Sequence, residues 1–243
     1  MSDFNTSLLV DQAYDAIKED VLHKLLIPGK KINVLELSKR YNISVTPIKL
    51  ALNRLVTEGM VESIPRRGMV VKPVTQETLR EAFEIRTMIE LFCVPQVLKK
   101  AREDPSYLAE LENNIREHLT AVDETSKGSS HLRQNQIDSD FHLLLVSATQ
   151  NERMLSIYKS LGFHMTMFYL YGEKRTQRFV ECNQEHLDIL NAVKAQDRQA
   201  LEKAISAHLA NTYKNYSDSL NTIILKCSTT SAAESSARAN VFD

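Results

Sequence analysis

The chain has 243 residues, 43% hydrophobic and 25% charged, with no tryptophan and a formal net charge of −1. That length suits one large or two modest domains, and a near-neutral chain shows no overall attraction to polyanions. Three scattered cysteines (Cys93, Cys182, Cys227) form no disulfide framework, so a reducing cytoplasm is the expected setting. With no run of 18 apolar residues and no basic-then-apolar leader, neither a membrane span nor a secretory signal is expected. The six glycines lie too far apart for a phosphate-cradling loop, which argues against dinucleotide and P-loop enzymes.

Residues 9–27 place Val10, Ala13, Tyr14, Ile17, Val21 and Leu25 near helical spacing, predicting a first helix that Pro28-Gly29 ends. A short second helix is predicted over 34–41, then a turn at Asn42-Ile43. Ser44 stands as N-cap of a third helix over 45–57, where Pro47 in the first turn removes only an N–H that has no helical partner. Ile48, Ala51, Leu52 and Leu55 give that helix its buried stripe. The β-rich runs 60–64 and 69–74, joined by Pro65-Arg66-Arg67-Gly68, predict a hairpin.

This order outlines a winged helix-turn-helix over 9–74, and the charge agrees. Between Lys24 and Lys72 stand ten basic residues and three acidic ones, a local +7 that leaves −8 for the rest of the chain. A basic module on an acidic body suits phosphate binding. Val45, Thr46, Lys49 and Asn53 face away from the stripe, as the reading face of a recognition helix would. Arg66 and Arg67 at the hairpin tip are placed for a minor groove or the backbone. Ser44 and Gly68 complete the candidate DNA-contact set.

From Thr75 the chain changes character. The first of a run of helices opens with Thr75 three residues before Thr78 and carries Pro95 as an expected kink. Others are predicted near 105–124, 131–149, 151–171, 175–196 and 197–222, giving an all-α antiparallel bundle over 75–224. The fold class is therefore mostly α, with one small β-hairpin wing. The Ser/Ala-rich segment 225–243 has no apolar period and is expected to be a disordered tail.

Asp138 and His142 stand at i, i+4, so their side chains leave one face of a helix. His186 and His208 lie beside apolar positions and lean toward the bundle interior. Taken singly, each histidine reads as a hydrogen-bonded core residue. Converging, three imidazoles and a carboxylate would suit a divalent transition ion: zinc, manganese, nickel or iron. Cys182, four residues before His186, is a rival ligand on the same face, or a small buried hydrophobe.

Residues 12–74, with Pro28-Gly29, LELSKRYNISVTPIKLALNRLVTEGMVE and Gly68, resemble the GntR-type winged helix. Residues 76–220 resemble the FCD effector domain of that family. The carrying residues are Arg86 and Glu90 in EIRTMIE, Asp138 and His142 in DSDFH, Asn151, His186 in EHLDILNAV and His208 in AISAHL.

The resemblance implies a homodimeric bacterial regulator, expected to be a repressor and not an enzyme, that binds a palindromic double-stranded DNA operator. It turns the histidine reading toward a metal held by Asp138, His142, His186 and His208, with a small carboxylate effector completing the coordination. Arg86 is the first candidate effector contact, followed by Arg175 and Arg178. The sequence departs from the family where Val45 and Lys49 replace arginines and Leu50 replaces a glutamate. Lys49 thereby loses bidentate guanine recognition. Two other functions compete: a regulator for which the ion is itself the signal, and a metallohydrolase, against which stands the lack of HExxH.

Overall fold

In the computed structural model, which describes residues 3–126, 131–171 and 176–239, the chain divides after Val74 into two units. In the first unit, α1 (Asp3–Leu22), α2 (Val34–Tyr41) and α3 (Val45–Thr57) precede an antiparallel hairpin of β1 (Val61–Ile64) and β2 (Gly68–Val71). Ala13, Tyr14, Ile17 and Val21 of α1 bury against Ile48, Ala51, Leu52 and Leu55 of α3. Asp20 lies under this packing, where it accepts hydrogen bonds from Tyr41 Oη at 2.7 Å and from Arg40.

α1 stops five residues before the Pro28-Gly29 break expected to end it, and Leu25, expected on its buried stripe, is 61% exposed. The stop is a left-handed turn at Lys24 (φ 60°). The Lys24 N–H bonds the carbonyl of Val21 at 3.0 Å, and the Leu25 N–H bonds that of Asp20 at 2.8 Å. These two bonds satisfy the last carbonyls of the helix without a glycine. Asn42 ends α2 in the same way (φ 54°), turning the chain into α3.

Ser44 occupies the N-cap position of α3 in extended conformation, but its hydroxyl makes no capping bond. The hairpin pairs Val61 with Val71 and Ile64 with Gly68. The N–H of Ile32 donates to Met69 and that of Gly29 to Val71, both at 2.8 Å, which lays residues 29–32 along the edge of β2.

The second unit is a bundle of α4 (Gln76–Glu103), α5 (Pro105–Ser126), α6 (His131–Ser147), α7 (Glu152–Tyr171), α8 (Thr176–Lys194) and α9 (Arg198–Ala239). Side chains cap most of these helices. Thr75 and Thr78 form a reciprocal capping box for α4. Asp104, Asn151 and Asp197 accept backbone N–H groups at the starts of α5, α7 and α9.

α4 runs unbroken through Pro95. α9 extends to Ala239, so backbone helix covers most of the segment expected to be a disordered tail. That segment contains no proline or glycine, and alanine favours helix even where no apolar face repeats. α9 packs on α4 and α8, while α6 packs on α4, α5 and α7. This puts the inner faces of α4, α6, α8 and α9 around one another.

Candidate metal centre and nucleic-acid interface

Helix spacing delivers the polar groups to the bundle interior. Asp138 and His142 sit one turn apart on α6, Cys182 and His186 one turn apart on α8, and His208 on α9. His142, His186 and His208 are buried, and Asp138 keeps about a fifth of its side chain exposed. His142 Nε2 lies 3.0 Å from His208 Nε2. Asp138 Oδ1 lies 3.4 Å from His186 Nε2 and 4.0 Å from His142 Nε2. Donors around a tetrahedral ion with bonds of about 2.1 Å stand about 3.4 Å apart, so these separations are of the size an ion needs.

Two carboxylates set the orientation of the rings. Glu90 Oε2 lies 2.8 Å from His142 Nδ1, and Glu185 Oε2 lies 2.8 Å from His208 Nδ1. Burial alone would raise the pKa of Glu90, but His142 and Arg86 outweigh it and hold the group at about 2. Glu185 is likewise held at about 2, burial being outweighed by hydrogen bonds from His208 and Arg178. An ionised carboxylate only accepts, so both rings carry a proton on Nδ1 and turn Nε2 toward each other. The two Nε2 atoms face each other across 3.0 Å. Two bare nitrogens would repel at that distance, and a cation or a proton on the line between them relieves the contact.

Burial lowers the pKa of His186 and of His208, favouring the neutral rings that bind metals. The donors present therefore fit a divalent transition ion. Asp138, whose own burial is outweighed by the surrounding histidines and Arg86, stays ionised far below the usual range.

Arg86 and Arg178 stand directly behind this layer. Arg86, buried, donates from Nε to Glu90 at 2.7 Å and to the Tyr158 oxygen at 3.0 Å, while Tyr158 Oη donates to Glu90 at 2.6 Å. Arg178 grips Glu185 with two nitrogens, at 2.8 and 2.7 Å, and also reaches Thr212 at 2.7 Å. Two parallel chains result: Arg86–Glu90–His142 and Arg178–Glu185–His208.

Sequence reasoning paired Glu90 only with Arg86 and passed over Glu185. Its adjacency to His186, two helical turns from Arg178, was the available signal. Arg175 lies outside the described residues. His118, also buried, sits with its ring 5.5 Å from that of His186, and neither of its nitrogens finds a partner among the described residues. An open groove of about 450 Å³ along α5, α6 and α7 is lined by Glu110, Glu117 and Asp140 against one cation, Lys159. That lining is ill suited to an organic acid.

In the first unit, Ser44, Thr46, Lys49, Asn53, Arg66, Arg67 and Gly68 are exposed and Val45 is half-buried. The residues of α3 among them lie opposite the buried stripe, with the arginines at the hairpin tip. Arg40 and Arg54, counted in the local charge, are exposed but engaged by neighbouring carboxylates. Arg54 stacks 4.0 Å from the Tyr14 ring centroid and pairs with Asp11 and Glu58. Arg40 pairs with Asp20 and Glu36. Arg66 has φ 65°, and the Arg67 N–H closes a turn onto Ile64 at 3.1 Å. A turn with proline second and a left-handed residue third normally takes glycine or asparagine there.

The family model for the FCD domain matches residues 81–211, and the model "Bacterial regulatory proteins, gntR family" matches residues 9–71. The chain belongs to the GntR family of regulators and carries its FCD domain. Among its relatives, the HTH-type transcriptional repressor RspR of Escherichia coli is 24% identical over 198 residues, covering 82% of this chain and 84% of that protein. The uncharacterized HTH-type regulator YdhC of Bacillus subtilis is 26% identical over 200 residues, covering 81% and 86%. The solved structure of E. coli McbR/YncC shares the fold, with a TM-score of 0.69 at 22% identity over 86% of this chain and 98% of that one.

This GntR-family chain is a transcriptional regulator with a DNA-binding winged helix; its relatives are named as regulators, which sets the metallohydrolase reading aside. No helix among the described residues is long and apolar enough to cross a membrane.

Proposed function

We propose that the protein is a homodimeric repressor whose grip on a palindromic operator is set by a small carboxylate bound to a divalent transition ion. Asp138, His142, His186 and His208 hold that ion. The facing Nε2 atoms of His142 and His208 carry this reading, because two carboxylates hold both rings in an arrangement that a cation between them would relieve, with Asp138 and His186 at hand to complete its donor set. Charge supports it as well. Three carboxylates (Glu90, Asp138, Glu185) against two guanidiniums (Arg86, Arg178) leave one negative charge, which favours a dication there. With the dication in place the site is no longer negative, so a small organic acid can approach it. The ion supplies a Lewis-acidic anchor for that acid, and Arg86 and Arg178 supply the field that favours it. An effector can shift operator binding only by preferring one arrangement of the dimer. On α4, Ile85, Met88 and Phe92 form an exposed apolar stripe at i, i+3, i+7 that a second copy would cover.

Ser44, Val45, Thr46, Lys49, Asn53, Arg66, Arg67 and Gly68 form the DNA face. The test is a binding assay of the purified protein on DNA from its own upstream region. The expected result is a sequence-specific, salt-sensitive complex whose affinity changes when a panel of small organic acids is added; no sequence preference would overturn the reading.

Arg66 offers a sharper check. Arg66→Gly relieves a left-handed backbone worth about 1 kcal/mol, and the freer unfolded chain offsets most of that gain. Thermal stability should therefore stay within about 1 kcal/mol of wild type, while operator affinity falls by about tenfold. Unchanged affinity would remove the wing from the interface.

A further inference from the structure

We infer that Cys182 is itself a ligand of the ion, so that this chain's site is a thiolate-containing one with a preference for thiophilic metals. The inference rests on the metal reading above and goes beyond its four residues. The Cys182 Sγ lies 3.1 Å from Asp138 Oδ1, to which its S–H donates, and 3.7 Å from His186 Nε2. The ligand atoms of Asp138, Cys182, His186 and His208 all lie within 4.8 Å of one another. The thiol is buried, and it reaches the cluster by the same device as Asp138 and His142: two donors one turn apart on a single helix, here α8.

His186 differs from the other two rings in a way that matches. Among the described residues no carboxylate stands behind it and its buried Nδ1 has no partner; the ring stacks on Phe141 at 4.0 Å, with its Nε2 turned toward Asp138 and the sulfur. A buried cysteine serving only as a small hydrophobe would need no acceptor and would gain nothing from facing a carboxylate oxygen. Ligation replaces the S–H bond by a sulfur–metal bond and passes the proton to the buffer. A soft sulfur in an otherwise N/O set favours zinc or cobalt(II) over manganese and magnesium, which prefer all-oxygen or oxygen–nitrogen surroundings.

The experiment is cobalt(II) reconstitution of the metal-stripped full-length protein, read by absorption spectroscopy. Wild type is expected to show visible d–d bands together with a near-ultraviolet thiolate-to-cobalt charge-transfer band. Cys182→Ser should keep the d–d bands, lose the charge-transfer band and bind zinc at least about tenfold more weakly, with manganese affinity unchanged. If the variant fails to fold, X-ray absorption of zinc-loaded wild type decides instead, with a zinc–sulfur distance of about 2.3 Å expected. Cobalt bound with d–d bands alone, or zinc with only nitrogen and oxygen neighbours, overturns the thiolate and leaves the histidine site standing. No cobalt bound at all overturns both.

Discussion

Replacing Glu90 by alanine is expected to destabilise the helical bundle by about 3–5 kcal/mol. Glu90 is fully buried and accepts from three donors at once: Arg86 Nε at 2.7 Å, Tyr158 Oη at 2.6 Å and His142 Nδ1 at 2.8 Å. Its removal leaves the buried Arg86 guanidinium without its carboxylate and frees two further donors in a dry interior. Chemical denaturation measures the loss directly.

The cause is charge imbalance rather than lost volume, and a second variant tests it. The double replacement Arg86→Met, Glu90→Leu removes both charges and should recover most of the stability lost in Glu90→Ala. Equal destabilisation of both variants would mean that the orphaned donors of Tyr158 and His142, rather than the unpaired charge, dominate. A Glu90→Ala protein as stable as wild type would show that the three hydrogen bonds do not hold the site together.

The second large effect concerns the ion. His208→Ala removes a donor, whereas Glu185→Gln leaves the imidazole in place and changes only the group behind it. The Glu185→Gln change is expected to weaken zinc by about 10–100-fold. His208→Ala should weaken it further and abolish the stabilisation that zinc confers, which for wild type is about 2.7 kcal/mol at a hundred times Kd. Isothermal titration and thermal shifts with and without zinc read both quantities. If Glu185→Gln costs as much as His208→Ala, Glu185 is itself a ligand; if neither matters, the facing histidines share a proton rather than a metal.

The winged helix is legible in the sequence because each of its signals is local. The α3 stripe, the proline and arginines of the hairpin tip and the Asn42 turn all lie within a few residues of what they specify. The end of α1 is not legible, because a lysine at φ 60° carries no glycine to announce it. Its cost is offset by hydrogen bonds visible only once the chain has turned.

In the bundle, the Asp138/His142 pair follows from one helix's periodicity. The contacts of Glu90 with His142 across 52 residues, and of His142 with His208 across 66, depend on how α4, α6 and α9 pack. No spacing rule reaches that far. Cys182 lies between these cases: its alignment with His186 is written in the sequence, whereas its approach to Asp138 on another helix is not. Segment 225–239 shows the limit of reading an absence of pattern, since helix needs only the absence of breakers and tolerable propensity.

Elemental analysis of the purified protein, paired with native mass spectrometry, tests the central claim most directly. The expected result is about one transition ion per protomer of a dimer, with a small organic acid released on denaturation. A metal-free dimer that takes up no added zinc would contradict it, and would return His142 and His208 to a core pair bridged by a proton.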